Sequence, residues 1–331
     1  MAGRRRKKSG GRSYAWRYRG RIVACVFVEV IIICALVIMI GWNKGVKEWF
    51  EQFEQPVLKE VDISGINSPN AILMQARGGK ILGEINGEAQ IYPASMTKIM
   101  TVILGIENFD DLDEKITLTD EMFSGLYEQD ATQAGFQPGE EVRVIDLLYG
   151  AMLPSGAECC IALADTISGS EADFAELMNK KARKLGMENT HFCDSTGLHN
   201  PDHYSTVKDI AVLMKYCIKN DTFREIVETS RHSTGVTNIH PDGITYYSTM
   251  FKNLSDPTVT GGKILGGKTG YTSEAGHCLV SFAEIEGREY IFVSAGASGA
   301  DGNTIPHIQD AVTVYSRVGA AVEAKMNDNN K

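Results

Sequence analysis

The stretch Tyr92-Pro93-Ala94-Ser95-Met96-Thr97-Lys98-Ile99-Met100-Thr101 decides how this chain folds and what it can do. It sets a serine and a lysine three residues apart at the start of an apolar run that continues through Val102-Ile103-Leu104. That spacing is close to one helical turn, so the two side chains share a face. Apolar residues nearly all round mark a helix buried in a core. A lysine removed from water favours its neutral form. A neutral amine one turn from a hydroxyl is able to take its proton and turn the serine into a nucleophile. The same spacing recurs at Ser205-Thr206-Val207-Lys208, but there Lys208, Asp209, Lys215 and Lys219 crowd the segment. Ser205 or Thr206 suits a helix N-cap, and Lys208 is expected to stay in water. Ser95 is therefore the expected nucleophile and Lys98 its base.

Two further stretches follow in order. Ser155-Gly156-Ala157 closes Asp146-Leu147-Leu148-Tyr149-Gly150-Ala151-Met152-Leu153-Pro154, and Lys268-Thr269-Gly270 lies between Gly266-Gly267 and the apolar run after Gly276. A second copy of the last pattern, Lys8-Ser9-Gly10, sits in a basic tail with no strand around it. Together with His203-Tyr204-Ser205-Thr206, these stretches resemble the Ser-x-x-Lys, Ser-x-Asn and Lys-Thr-Gly set of the serine-type D-alanyl-D-alanine carboxypeptidases, the low-molecular-mass penicillin-binding proteins of the peptidase S11 family. The resemblance runs from about Ser68 to about Gly299. It implies a β-lactamase/transpeptidase-like α/β fold, an antiparallel sheet flanked by helices with an inserted helical subdomain. It also implies roles. Ser95 attacks the substrate carbonyl, Lys98 is the base, and Ser155 relays a proton to the leaving group. Lys268 and Thr269 meet the substrate's carboxylate, and Gly270 lets its backbone lie alongside. The backbone N–H groups of Ser95 and Tyr271 form the oxyanion hole. No metal or organic cofactor is implied. The implied partners are peptidoglycan stem peptides and, as covalent inhibitors, β-lactams, with no nucleic acid.

The chain departs from the family pattern at two places. Ala157 stands where an asparagine is usual, with Glu158 beside it as a candidate substitute. No arginine occurs from His232 to Lys268, where some members place one to help hold the carboxylate. Substrate preference is thus more open than reaction class. The alternatives are a β-lactamase-like hydrolase of the same superfamily and a non-catalytic penicillin or peptidoglycan sensor. The first wants a glutamate and then an asparagine in the loop before Lys268, and Gly186 to Val207 offers only Glu188 directly beside Asn189. For the second, Ala157 is the one feature in favour, and the cytoplasmic tail is too short and basic for a signalling domain.

The charge distribution sets the organisation. Nine of the 33 basic residues and none of the 42 acidic ones fall in positions 1–21, which leaves a net charge of −18 on the rest. Between the two regimes, residues 22–42 are apolar apart from Glu29. As a helix they would reach ~30 Å, the thickness of a bilayer's hydrocarbon. Basic flanks stay inside, so the expected layout is a cytoplasmic tail (1–21), an uncleaved transmembrane signal anchor (22–42), a juxtamembrane stalk (43–67), an extracytoplasmic catalytic domain (68–326) and a polar tail (327–331). Only 61 residues follow Gly270, enough to finish a sheet and one helix, so anchoring is expected to fall to the N-terminal span. Within the domain, 70–76 with 81–86 and 278–285 with 290–295 read as hairpins, and 308–326 as a last helix.

Cysteines and histidines raise the remaining candidates. Cys25 and Cys34 fall in the span; Cys159, Cys160, Cys193, Cys217 and Cys278 read as small buried thiols rather than a structural bridge. His199 and His203 are four apart, but Asn200-Pro201-Asp202 between them breaks a helix and no third ligand is spaced to join them. They read as loop residues.

Overall fold

The computed structural model describes residues 58–254, 256–299 and 305–329, together with Val30. The tail and span expected over 1–42 therefore lie outside the described residues, apart from Val30. Among those described, no helix is long and apolar enough to cross a membrane.

Strand β1 (Asn70–Gln75) and strand β2 (Ile81–Ile85) form the first hairpin. A long helical insertion follows: α1 (Lys98–Asn108), the ribbon β3 (Lys115–Thr117) with β4 (Glu141–Arg143), α2 (Val144–Met152), α3 (Ala157–Ser168), α4 (Glu171–Leu185), α5 (Val207–Cys217) and α6 (Asp221–Glu228). A second ribbon, β5 (Arg231–Ser233) with β6 (Thr245–Tyr247), and the short α7 (Thr249–Asn253) lead back to the sheet. It is completed by β7 (Thr258–Val259), β8 (Gly262–Thr272), β9 (Gly276–Ile285) and β10 (Arg288–Ala297), before α8 (Pro306–Asn329). The main sheet is antiparallel in the order β2-β1-β10-β9-β8-β7. This is the expected architecture, with hairpins at both ends of the chain joined into one sheet and helices inserted between them.

The strand pattern shows why both faces are covered. Side chains alternate across a strand. Ile72 and Met74 of β1, Val280 and Phe282 of β9 and Ile291 and Val293 of β10 join the core shared with the inserted helices. Their neighbours Ala71, Leu73, Leu279, Ala283, Tyr290 and Phe292 pack on the other face with Ile308, Val314, Tyr315 and Val318 of α8. A sheet buried on both sides reads in sequence as unbroken apolar runs rather than alternation.

One boundary differs from expectation. Leu58, Val61 and Ile63 are buried in the α8-side core, and Val61 N–H donates to Leu82 O at 2.7 Å. The segment from Leu58 to Asn67, expected as stalk, is thus part of the folded unit. Its apolar residues are too sparse to reveal a core role, because the cover they complete is contributed mostly by α8. The lock is Asp310 on α8. Its buried carboxylate accepts from Asn67 N (2.8 Å), Asn67 Nδ2 (2.7 Å), Ser68 N (2.9 Å) and Ser68 Oγ (2.6 Å).

Asp310→Ala strips the acceptor from two backbone N–H groups at once. A loss of about 3 kcal/mol is expected, at ~1–3 kcal/mol per unsatisfied group, read by denaturant unfolding.

Candidate active site

The 3-10 turn Ala94–Thr97 feeds directly into α1, and Ser95 sits on that turn rather than inside the α-helix. Ala94 holds φ 47°, a left-handed conformation that is uncommon for a residue with a Cβ. Lys98, the first residue of α1, is only 3% exposed. Its Nζ lies 3.1 Å from Ser95 Oγ and donates to Thr196 O at 2.7 Å. Burial pushes the lysine's proton affinity down, and the carboxylates of Asp194 and Glu158 counter this only in part.

The other motifs converge on the same place. Ser155, also at a left-handed φ of 72°, precedes α3 and accepts a hydrogen bond from Lys268 Nζ at 3.0 Å. Lys268, 1% exposed, also donates to Thr269 O at 2.8 Å. Burial and the neighbouring Lys98 drive its proton affinity well below that of an ordinary lysine. Thr269 Oγ1 pairs with Thr249 Oγ1 at 2.7 Å. Gly270 shows why a glycine stands there: a Cβ would fall 3.0 Å from Ser95 N and 3.2 Å from Pro93 O. Strand β8 thereby lies against the serine's turn. Its pairing with β7 ends at Lys263, so among the described residues the outer edge of β8 beyond that point has no strand partner. Ser95, Ser155, Thr269, Gly270 and Tyr271 line one cleft of about 480 Å³.

All seven expected site residues thus gather around one cleft, Lys98 and Lys268 buried at its edge. The rival Ser205-x-x-Lys208 does not join them. Thr206 caps α5 by accepting from Asp209 N, and Lys208 pairs with Glu88 at the surface. At the second motif Ala157 is 1% exposed and its N–H donates to Thr132 O at 2.8 Å. Glu158 does not take over the missing amide's hydrogen bonds. Its Oε1 accepts from Ala134 N (2.6 Å) and Gly135 N (2.9 Å), pinning that loop, while its other oxygen is buried without a partner. All five described cysteines are free, four of them buried. His199 packs edge-on against Tyr92, whereas His203 pairs with Asp194 and Thr97, and no group of three metal-ligating side chains occurs among the described residues.

Sequence reasoning missed the loop that holds Lys98. Asp194 Oδ1 accepts from Thr196 N (2.8 Å), Gly197 N (2.7 Å) and Thr196 Oγ1 (2.7 Å). Its Oδ2 faces His203 Nδ1 at 3.1 Å, and His203 Nε2 meets Thr97 Oγ1, on the serine's own turn, at 2.9 Å. Gly197, at φ +81°, lies so close to the turn that a Cβ would sit 1.9 Å from Ala94 O. One carboxylate therefore aims the Thr196 carbonyl at Lys98 and ties that loop to Ser95. Asp194-Ser195-Thr196-Gly197 carries the signature of an Asx turn, but nothing local says what the turn is for.

Comparisons place these motifs in a known setting. Residues 57–299 match the family model described as D-alanyl-D-alanine carboxypeptidase. The chain is similar to the D-alanyl-D-alanine carboxypeptidases DacF of Bacillus subtilis, 35% identical over 69% of this chain and 57% of that protein, and DacC of Escherichia coli, 33% identical over 72% and 58%. It thus spans little more than half the length of these two relatives. The D-alanyl-D-alanine carboxypeptidase of Streptomyces K15 is 35% identical, with 69% of this chain and 78% of that protein covered. The crystal structure of the Streptomyces K15 DD-transpeptidase superposes with a TM-score of 0.69 at 29% identity, covering 79% of this chain and all of that one.

Burial raises the proton affinity of Asp194, but the hydrogen bond and charge of His203 and the hydrogen bonds from Thr196 outweigh it, holding the carboxyl at a pKa of about 2. A depressed pKa contributes stability above the unfolded value and loses it as pH falls through the folded one. Asp194→Asn is expected to cost about 2 kcal/mol at neutral pH, and the gap to the wild type should close between roughly pH 4 and pH 2 in unfolding titrations.

Proposed function

Since the chain belongs to the D-alanyl-D-alanine carboxypeptidase family, we propose that it removes the terminal D-Ala from peptidoglycan stem peptides through an acyl-enzyme on Ser95. The observation that carries this reading is the buried Lys98 Nζ, 3.1 Å from Ser95 Oγ and held from behind by Thr196 O. Once neutral, the amine keeps an N–H for that carbonyl and offers its lone pair to the serine. Ser95 Oγ then attacks the carbonyl of the penultimate D-Ala as its proton passes to Lys98. The oxyanion forms against the N–H groups of Ser95 and Tyr271, donors fixed in place before charge develops. As the peptide bond breaks, Ser155, bridged to Lys268, passes a proton to the departing amine. Water cleaves the ester and regenerates the serine. The open edge of β8 suits an extended peptide, which adds as a further strand.

The departure at Ala157 bears on rate more than on the reaction. Losing one amide's hydrogen bonds costs ~1–3 kcal/mol, which slows a reaction without abolishing it. Against a non-catalytic sensor stand both lysines and both serines in hydrogen-bonded contact.

Labelled penicillin is expected to attach to Ser95, located by mass spectrometry, and purified protein to release D-Ala from a peptide ending in D-Ala-D-Ala. Label on Ser205, or no label, would overturn the reading. The acylation rate should rise with pH, because only neutral Lys98 accepts the proton. Its midpoint should lie below the 10.5 of an ordinary lysine, as burial dictates. Lys98→Arg, permanently charged, should slow acylation at least ~100-fold.

The charge pattern of positions 1–42 supports a single-pass anchor, N-terminus cytoplasmic and catalytic unit extracytoplasmic. Full-length protein should fractionate with membranes, with external protease digesting the catalytic unit. Soluble protein with a mature N-terminus near Asn43 would show a cleaved signal instead.

A further inference from the structure

The cleft has a chemical problem at its β8–β9 end. If Thr269 receives the terminal carboxylate of a peptide, as the function proposed above requires, that anion needs further donors. Lys98 is committed to Ser95 and Thr196, Lys268 to Ser155 and Thr269, and burial disfavours the charge on both. Among the described residues lining the cleft, the only formally charged side chain is Asp130, which is an anion itself. No arginine is among these described lining residues.

Two histidines are. His277 on β9 stands opposite Tyr271 in the β8–β9 register, their rings 4.6 Å apart. Behind it lies His307, in the first turn of α8, its ring parallel to that of His277 within 6° at a centroid distance of 5.0 Å. His307 is 5% exposed, and its Nδ1 is buried with no hydrogen-bond partner. A buried polar atom left unsatisfied costs free energy and marks a place where a partner is missing. The backbone closes on the pair from the side: a Cβ at Gly299 would come within 2.7 Å of His277 Nε2. Both rings line the same cleft as Ser95 and Thr269.

We propose that His277 and His307 form the carboxylate-recognising end of this cleft, with imidazole N–H groups taking the place of a guanidinium and selecting substrates that end in a free carboxylate. The inference rests on the function proposed above and adds the residues that set its substrate preference. A neutral imidazole donates one hydrogen bond without the desolvation cost of a buried cation. The stack orients His277, whose partly exposed ring fronts the cleft, and His307 backs it.

A purely structural role for the pair would make different demands. Loss of packing between β9 and α8 would weaken every ligand alike, whereas loss of a carboxylate donor weakens only carboxylate ligands. The test uses the full chain and two peptides, one ending in D-Ala-D-Ala and one in its C-terminal carboxamide, each as a competitor of penicillin labelling at Ser95. For His277→Gln, the half-blocking concentration of the carboxylate peptide should rise roughly tenfold, as for one lost hydrogen bond to a charged group. That of the carboxamide should stay within about twofold, and kcat for D-Ala release likewise. His307→Gln should move the same ratio in the same direction; should it fail to fold, His277→Gln decides alone. Equal changes for both peptides, or none, with Ser95 still labelled, would overturn the role of the pair and leave the proposed function standing. Absence of both label and D-Ala release from the wild type would overturn the function and the inference together.

Discussion

The contact between Lys98 Nζ and Ser95 Oγ is the constraint on which the rest of the molecule depends. A lysine in water is a poor base at neutral pH because it is protonated, and burial is the main effect that lowers the proton affinity of Lys98. Burial has to be built. It requires the apolar face of α1, the buried helices around it and a backbone carbonyl, that of Thr196, to satisfy the amine. A buried amine left without partners would cost more than the fold could offset. Asp194 meets this need by fixing Thr196, and His203 and Thr97 carry the same network back to the serine's turn.

The cleft lies where the free edge of the sheet meets the inserted helices, and the join is strained on both sides. Ala94 beside Ser95, and Ser155 itself, hold left-handed backbone conformations that cost of order 1–3 kcal/mol each. Such conformations persist when the surroundings over-determine them. Here Gly197 and Gly270 let the Asp194 loop and the β8 edge press against the serine's turn, at a separation that no side chain would permit at Gly197 and that leaves little room for one at Gly270. Two hydrogen-bonded serine–lysine pairs result, Ser95 with Lys98 and Ser155 with Lys268. Lys268 is further disfavoured as a cation by Lys98, so the two amines are electrostatically coupled. Proton traffic in this site is a property of the set.

Much of this was legible along the chain. The two hairpins and the last helix were visible as apolar runs bounded by turn residues, and the choice of Ser95 over Ser205 followed from the company each keeps. The stalk boundary was misplaced because Leu58, Val61 and Ile63 are isolated apolar residues whose partners lie on α8, more than two hundred positions away. Glu158 looked able to stand in for the missing asparagine, yet its carboxylate is spent on the amides of Ala134 and Gly135.

By itself the sequence singled out Ser95 over Ser205 as the candidate nucleophile, because a serine and a lysine three apart at the head of an apolar run fall about one helical turn apart, a spacing that the structure realises as a 3-10 turn entering α1. Only the tertiary structure decided what surrounds that pair. Asp194 and the stacked His277 and His307 became visible through contacts between distant segments, fixed by the packing of sheet against helices, and local sequence carries no record of such distances.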